Sequence, residues 1–168
     1  QSSTTVRVYE TKLLSRPTTE RIVDAKDFDD AFKMLSETVY GDKLQKLEKK
    51  EDYGDALQAE LEEVYRKIRE MNQGEVIYDF ASLRYSFHNL KVLIKENILK
   101  QDFSEILSAL GNVNIPVIRA EIGKERGKDL AVRYMSQVAQ VLKDYEEHQD
   151  PQRIDILLDK FYLAELIR

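Results

Sequence analysis

Tyr78 to Leu99 reads YDFASLRYSFHNLKVLIKENIL, a stretch that is long, strongly apolar and still carries an ordered set of cations. Phe80, Leu83, Phe87, Leu90, Ile94 and Ile98 recur at steps of three and four, the spacing that places side chains on one side of an α-helix. That side must be buried. Val92, Leu93 and Leu99 lie outside the stripe, so the apolar arc is wider than a single seam and predicts a central helix over 78–99 packed on more than one flank. Arg84, His88, Lys91 and Lys95 follow one another at steps of four, three and four and form a basic ridge on another side of the helix. Such a ridge is either a solvated face whose cationic stems cover apolar surface or a contact surface for a polar partner. These four residues are the candidate partner-interface residues. His88 has no Cys and no second His at ligand spacing, so it reads as a hydrogen-bonded structural residue, and no metal or cofactor is implied.

The remaining composition agrees with a helical protein. Among 168 residues, 34% are charged and 42% hydrophobic, with only 3 Pro and 6 Gly, a balance that favours helices with ionic outer faces over sheets with many turns. The length suffices for one domain with its own core, or a domain and part of another. The absence of Cys excludes a disulfide framework, a thiolate metal site and a Cys nucleophile, and suits a reducing compartment. No apolar run approaches the roughly eighteen residues that cross a bilayer, so no direct membrane span is expected. A net charge of −5 argues against broad nucleic-acid binding while leaving room for a local basic patch.

Working outward, Val6, Val8, Leu13 and Leu14 predict a short helix that ends before Ser15-Arg16-Pro17, with Pro17 marking the break and Thr18 or Thr19 capping the next helix through Val23. Asp27 is the expected N-cap of a helix carrying Asp29 and Asp30 in its first turn, with Phe28, Ala31, Phe32 and Leu35 as its buried face and Gly41 as its end. The residues from Lys43 to Asp52 read as a solvated helix or loop. Asp55, paired with Gln58 as a cap, opens an amphipathic segment with Leu57, Leu61, Val64, Ile68 and Met71 as its stripe, Glu62–Arg66 and Glu63–Lys67 as ion pairs, and Asn72-Gln73-Gly74 as its end. Beyond Leu99, a short helix over Phe103, Ile106, Leu107 and Leu110 stops at Gly111-Asn112, and Asn114-Ile115-Pro116 reads as a connector. The expected division is therefore a first domain over 1–112 and a second over 113–168. The second consists of a hairpin: one helix from Asp129 with Leu130, Tyr134, Val138, Val141 or Leu142, and Tyr145 on one side, a break at His148-Gln149, and a helix capped by Asp150 with Pro151 at its first position and Ile154, Leu157, Leu158 and Phe161 as its stripe.

Three clusters could be mistaken for chemistry. Asp27, Asp29 and Asp30 lack the Gly and Glu of a calcium loop and are helix-start residues. Gly123-Lys-Glu-Arg-Gly127-Lys128 has too short a gap between its glycines for a phosphate loop and is followed by Asp129, so it reads as a flexible basic loop. Asp155 and Asp159 stand one turn apart without a His or Arg at helical spacing, which suits structural salt bridges better than acid–base work. No nucleophile, glycine cradle or metal cluster is assembled, and the residues alone specify a helical interaction module.

The run Leu83-Arg-Tyr-Ser-Phe-His-Asn-Leu-Lys-Val-Leu-Ile-Lys95 resembles the signature helix of the C subunit of the V/A-type ATP synthases, called the d subunit in eukaryotic V-ATPases. Val6 to Leu14 and the segment from Asp150-Pro151 through Ile154-Asp155, Leu158-Asp159-Lys160 and Tyr162 resemble the same family. Ser86 stands where many members carry Asp, so no role tied to that acid carries over. The resemblance implies an all-α multihelical bundle: one complete repeat of a pseudo-threefold funnel plus a helical hairpin of the next. It also implies a non-catalytic central-stalk connector, peripheral on the cytoplasmic face of the membrane. Its partners would be the central rotor-shaft subunits and the proteolipid ring, and it would couple ATP turnover to proton or sodium transport. The competing class is a free-standing helical adaptor unrelated to rotary motors; a helical-bundle enzyme fits less well, since no Glu-x-x-His pair is present. Because the family's chains are roughly twice as long and the last helix lacks a stop signal, the parent chain is expected to continue, leaving Leu157, Phe161 and Leu166 partly unburied and prone to self-association.

Overall fold

Most segments with helical periodicity become helices, and among the described residues no strand occurs. The computed structural model describes residues 2–71, 74–124 and 128–167, so the helix end read at Asn72-Gln73 and the middle of the basic loop, Glu125 to Gly127, lie outside it. The chain forms two units, Gln1–Glu75 and Val76–Arg168.

The first unit holds α1 (Ser2–Glu10), α2 (Arg16–Val23), α3 (Phe28–Ser36), α4 (Gly41–Leu44) and α5 (Tyr53–Glu70), with a 3₁₀ turn at Lys50–Asp52. Pro17 lies inside the first turn of α2, and Ser15, rather than Thr18 or Thr19, is the cap, its hydroxyl accepting from Thr18 N–H at 3.2 Å. The missing N–H of proline is harmless there because first-turn donors have no intrahelical acceptor. Asp27 caps α3 as expected, with Oδ1 2.9 Å from the Asp30 amide. Its expected buried face is only half covered: Phe28 is 46% exposed, and Ala31, Phe32 and Leu35 are half-buried. Gly41 does not end α3; it opens α4 and is buried where a Cβ would overlap the carbonyl of Ser36, a close approach that only glycine allows. Leu44, in the segment read as solvated, is 2% exposed. α5 begins at Tyr53, two residues before Asp55, and its stripe is shallow: Leu57, Leu61 and Ile68 are half-buried, Val64 is 41% exposed and Ala56 is the buried residue. Arg66 turns away from Glu62 to bridge Glu63 at 2.6 Å and Glu70 at 2.5 Å, while Lys67 reaches Glu63 at 3.2 Å. Glu62 accepts from Gln58 instead.

The second unit is built on α6 (Gly74–Leu99), with α7 (Ile115–Ile122), α8 (Met135–His148), α9 (Pro151–Leu166) and a 3₁₀ turn at Ser104–Ile106. Leu83, Phe87, Leu90, Leu93 and Ile94 of α6 form one cluster with Ile118 and Ile122 of α7, Tyr134, Met135, Val138 and Val141 at α8, and Ile154 and Leu158 of α9. Leu90, Ile94, Met135, Val138, Val141 and Leu158 are fully buried, each worth about 1.5–3 kcal/mol relative to exposure. The wide apolar arc is thus covered on several flanks, but Phe80 at 64% and Leu99 at 57% exposure drop out of it. Length explains this: at about 1.5 Å per residue α6 runs about 39 Å, whereas α8 and α9 run about 21 and 24 Å and cannot cover it end to end.

The cluster joins residues from both sides of the expected 112/113 boundary, which therefore falls inside the second unit. The connector read at 114–116 is the start of α7: Asn114 caps it, accepting from Val117 N–H at 3.2 Å, with Pro116 in the first turn. The helix expected over Phe103 to Leu110 shrinks to the 3₁₀ turn. α8 starts at Met135 and not at Asp129, because Tyr134 sits in the left-handed region at φ 63°, which interrupts the helical ladder, and Leu130 is left 59% exposed. Gln149, at φ 55°, makes the expected break, its amide bonding the Tyr145 carbonyl at 2.8 Å. Asp150 then caps α9 through the Gln152 amide at 2.9 Å, with Pro151 at the first helical position.

Candidate functional site

The basic ridge lies on α6 and divides into a spent end and an open end. Lys95 Nζ is 2.9 Å from both carboxylate oxygens of Asp155. Lys91 Nζ is 2.7 Å from Asp159 and 3.9 Å from Asp155. The carboxylates one turn apart on α9 therefore meet the lysines one turn apart on α6, a ladder that matches the register in which the two helices pack. Each rung is partly exposed and worth about 0–1 kcal/mol. His88 Nε2 lies 2.7 Å from the carbonyl of Ile106. A carbonyl only accepts, so Nε2 carries the proton of this bond and donates it. Arg84 is exposed, its guanidinium 6.0 Å from the Tyr85 ring centroid, and no ion pair forms to it among the described residues. Arg84, Phe87, His88, Lys91, Asp159 and Tyr162 line a concavity at this end. Phe87 packs edge-on against Tyr162 with centroids 5.8 Å apart, which makes its floor aromatic and stiff.

A second set of polar side chains lies along α6, of which the sequence draws attention only to Ser86, and not as part of a set. Asn89, fully buried, donates from Nδ2 to the Ser108 carbonyl at 2.9 Å and accepts the Ser108 amide at 2.8 Å, closing a reciprocal clamp. Ser86 accepts the Asn112 amide at 2.8 Å and donates to the Ser82 carbonyl at 3.0 Å. Asp79 accepts from the Asn112 side chain and from Arg133 at 3.3 Å. Gly111 lies so close to α6 that a Cβ would come within 2.7 Å of Asn89 Nδ2 and 3.1 Å of the Ser86 amide. This seam fastens residues 108–112 to α6 and pairs backbone groups of this part-buried segment. Ser86 is thereby a structural residue. The signal that could have found the seam is the spacing of Ser82, Ser86 and Asn89 at steps of four and three inside an otherwise apolar helix.

Two carboxylates elsewhere are held as anions. The Asp129 amide, then Lys124, keep the Glu121 carboxyl below its ordinary value at the end of α7, with bonds of 2.7 Å and 2.5 Å. Arg153 does the same for Asp144 through a two-pronged bond at 2.7 and 2.5 Å across the α8–α9 turn. Both close turns. Among the described residues no group of His, Asp or Glu could hold a metal, and no helix is long and apolar enough to cross a membrane. What the arrangement offers chemically is a ribbed, charge-bearing surface on a rigid helix.

The comparisons with known proteins agree on one family. The family model described as ATP synthase (C/AC39) subunit matches residues 2–168. The C subunit of the V-type sodium ATPase of Enterococcus hirae is 26% identical over 160 residues, covering 95% of this chain and 48% of the relative, so the chain spans about half the length of that relative. No solved structure matches. With the family model matched along the described helices of both units, the chain belongs to the ATP synthase (C/AC39) subunit family.

Proposed function

We propose that this chain acts as a non-catalytic central-stalk connector of a V/A-type rotary ATPase, linking the rotor shaft to the membrane proteolipid ring and coupling ATP turnover to proton or sodium transport. The family match over residues 2–168 is the observation that carries the reading. The physics of the second unit supports it, because a part that transmits torque must resist bending: α6 is gripped by three other helices through a fully buried cluster and by two ionic rungs. On this reading the chain is peripheral on the cytoplasmic face of the membrane, and the Arg84, His88, Lys91, Lys95 ridge is the face turned to a neighbouring protein of the motor. It contributes no chemistry of its own.

The test is isolation of the membrane complex from cells in which this chain carries an affinity tag. Shaft and proteolipid subunits should co-purify at fixed stoichiometry, and membranes depleted of the chain should lose ATP-driven ion uptake while the detached ATPase head still hydrolyses ATP. Recovery of the chain without either kind of protein would overturn the reading.

A further inference from the structure

We propose that Arg84 is the grip point of the ridge, binding a single carboxylate on an amphipathic segment of a partner protein in the concavity floored by Phe87 and Tyr162. The inference rests on the connector reading above and narrows its contact surface to one end. Lys91 and Lys95 already hold carboxylates within the chain, at 2.7 and 2.9 Å, and His88 is committed to the Ile106 carbonyl, so none of them brings a free charge to a partner. Arg84 does. Its planar fork can donate two parallel bonds to a carboxylate, and the aromatic floor beside it thins the water that would compete for the pair.

The same surroundings select the occupant. One open cation neutralises one charge, whereas a nucleic-acid backbone or an anionic membrane surface needs a row of them. Asp159, on the α9 side of the concavity, is neutralised by Lys91, and Asp155 by Lys95, so the concavity suits a single carboxylate set among apolar or basic neighbours rather than a polyanion. That is the pattern of an amphipathic protein segment. In a chain of net charge −5, a concavity whose paired Lys91 and Asp159 cancel and whose Arg84 remains is a local exception that favours a partner's carboxylate.

The experiment compares tagged wild type with Arg84→Glu, Arg84→Lys and Lys143→Glu, an exposed cation on α8 outside the concavity, in the purified membrane complex. Arg84→Glu should lower incorporation about tenfold or more, Arg84→Lys by less, and Lys143→Glu not at all, with thermal melts of all four chains superimposing. Equal incorporation of Arg84→Glu and wild type would overturn the inference and leave the connector reading standing. Failure of wild type itself to enter the complex would overturn both. If Arg84→Glu assembles normally but loses binding to phosphatidylglycerol vesicles that wild type shows, the ligand is a lipid headgroup and the protein-carboxylate proposal falls.

Discussion

The two units use the same secondary structure and opposite means of holding it. In the first, α2 and α3 contain no buried residue, and Gly41, Leu44 and Ala56 are the buried positions among those described. Its polar contacts are caps and ion pairs: the Ser15 and Asp27 caps, Lys43–Glu60 at 2.5 Å and Lys50–Asp29 at 2.5 Å between elements, and the Glu63, Arg66, Lys67, Glu70 network along α5. In the second, helices from four segments close over one apolar cluster, and Asn89 and Ser86 of α6 are hydrogen-bonded to loop backbone beside it. An amphipathic stripe is therefore a request for a covering element. α5 carries as regular a stripe as α6, yet only α6 has neighbours enough to bury it.

The largest expected effect tests that contrast directly. Leu90→Ala or Ile94→Ala should cost about 2–5 kcal/mol in chemical denaturation, while Val64→Ala on the stripe of α5 should cost under about 1 kcal/mol. Similar small values at all three sites would mean that α6 is no better packed than α5. Next in size is the seam. Gly111→Ala drives a methyl into Asn89 and the α6 backbone, and Asn89→Ala strips Ser108 of both partners; each should lower stability by about 1–3 kcal/mol. Hydrogen exchange should show the loss first at the Ser108 and Asn112 amides, and uniform exchange across the unit would contradict a local clamp.

Smaller still is the α6–α9 ladder, where Lys95→Met should change stability by about 1 kcal/mol or less, read from the shift in denaturant midpoint. A loss as large as that of Leu90→Ala would make the unit ionically held after all. Smallest is the acid response of α5. Hydrogen bonds from Arg66 and then Lys67 pull the Glu63 carboxyl down to about 2. A depressed folded value stabilises fully above the ordinary glutamate value and fades as pH falls toward about 2, so helicity at low salt should decline over that window. Glu63→Gln should flatten this part of the circular-dichroism titration, and high salt should shrink it, since the group is partly exposed to solvent. A titration unchanged by either would remove the ionic account of the first unit.

Much of the fold was legible because helical period and cap chemistry are local. Asp27, Asp150 with Pro151, and the break at Gln149 depend on residues within one turn, and they stand where their side chains put them. The sequence misleads where a residue has two local meanings. Pro17 and Pro116 can break a chain or begin a helix, and the choice depends on whether a cap such as Ser15 or Asn114 accepts the first-turn amides. Gly41 looked like a helix end but is required by the approach of the Ser36 carbonyl, a neighbour whose position the sequence does not state.

The candidate site divides the same way. Arg84, His88, Lys91 and Lys95 share a helix side by arithmetic, so the ridge was visible from spacing alone. Which of them remain open was not, because Asp155 and Asp159 come from some sixty residues away and reach the lysines only once α9 has docked.

By itself, then, the sequence determined the helical class, the centrality of Tyr78 to Leu99, the ridge and the caps at Asp27 and Asp150, since each is set by steric and hydrogen-bonding rules that act within a turn or two. Only the tertiary structure decided that Phe80 stays outside, that Asn89 and Ser86 hold a loop, and that Lys91 and Lys95 are spent while Arg84 is not. Those outcomes depend on the lengths and rotations of helices meeting across long sequence separations, where burial of the apolar cluster fixes the geometry and the polar groups then pair with whatever it brings within reach.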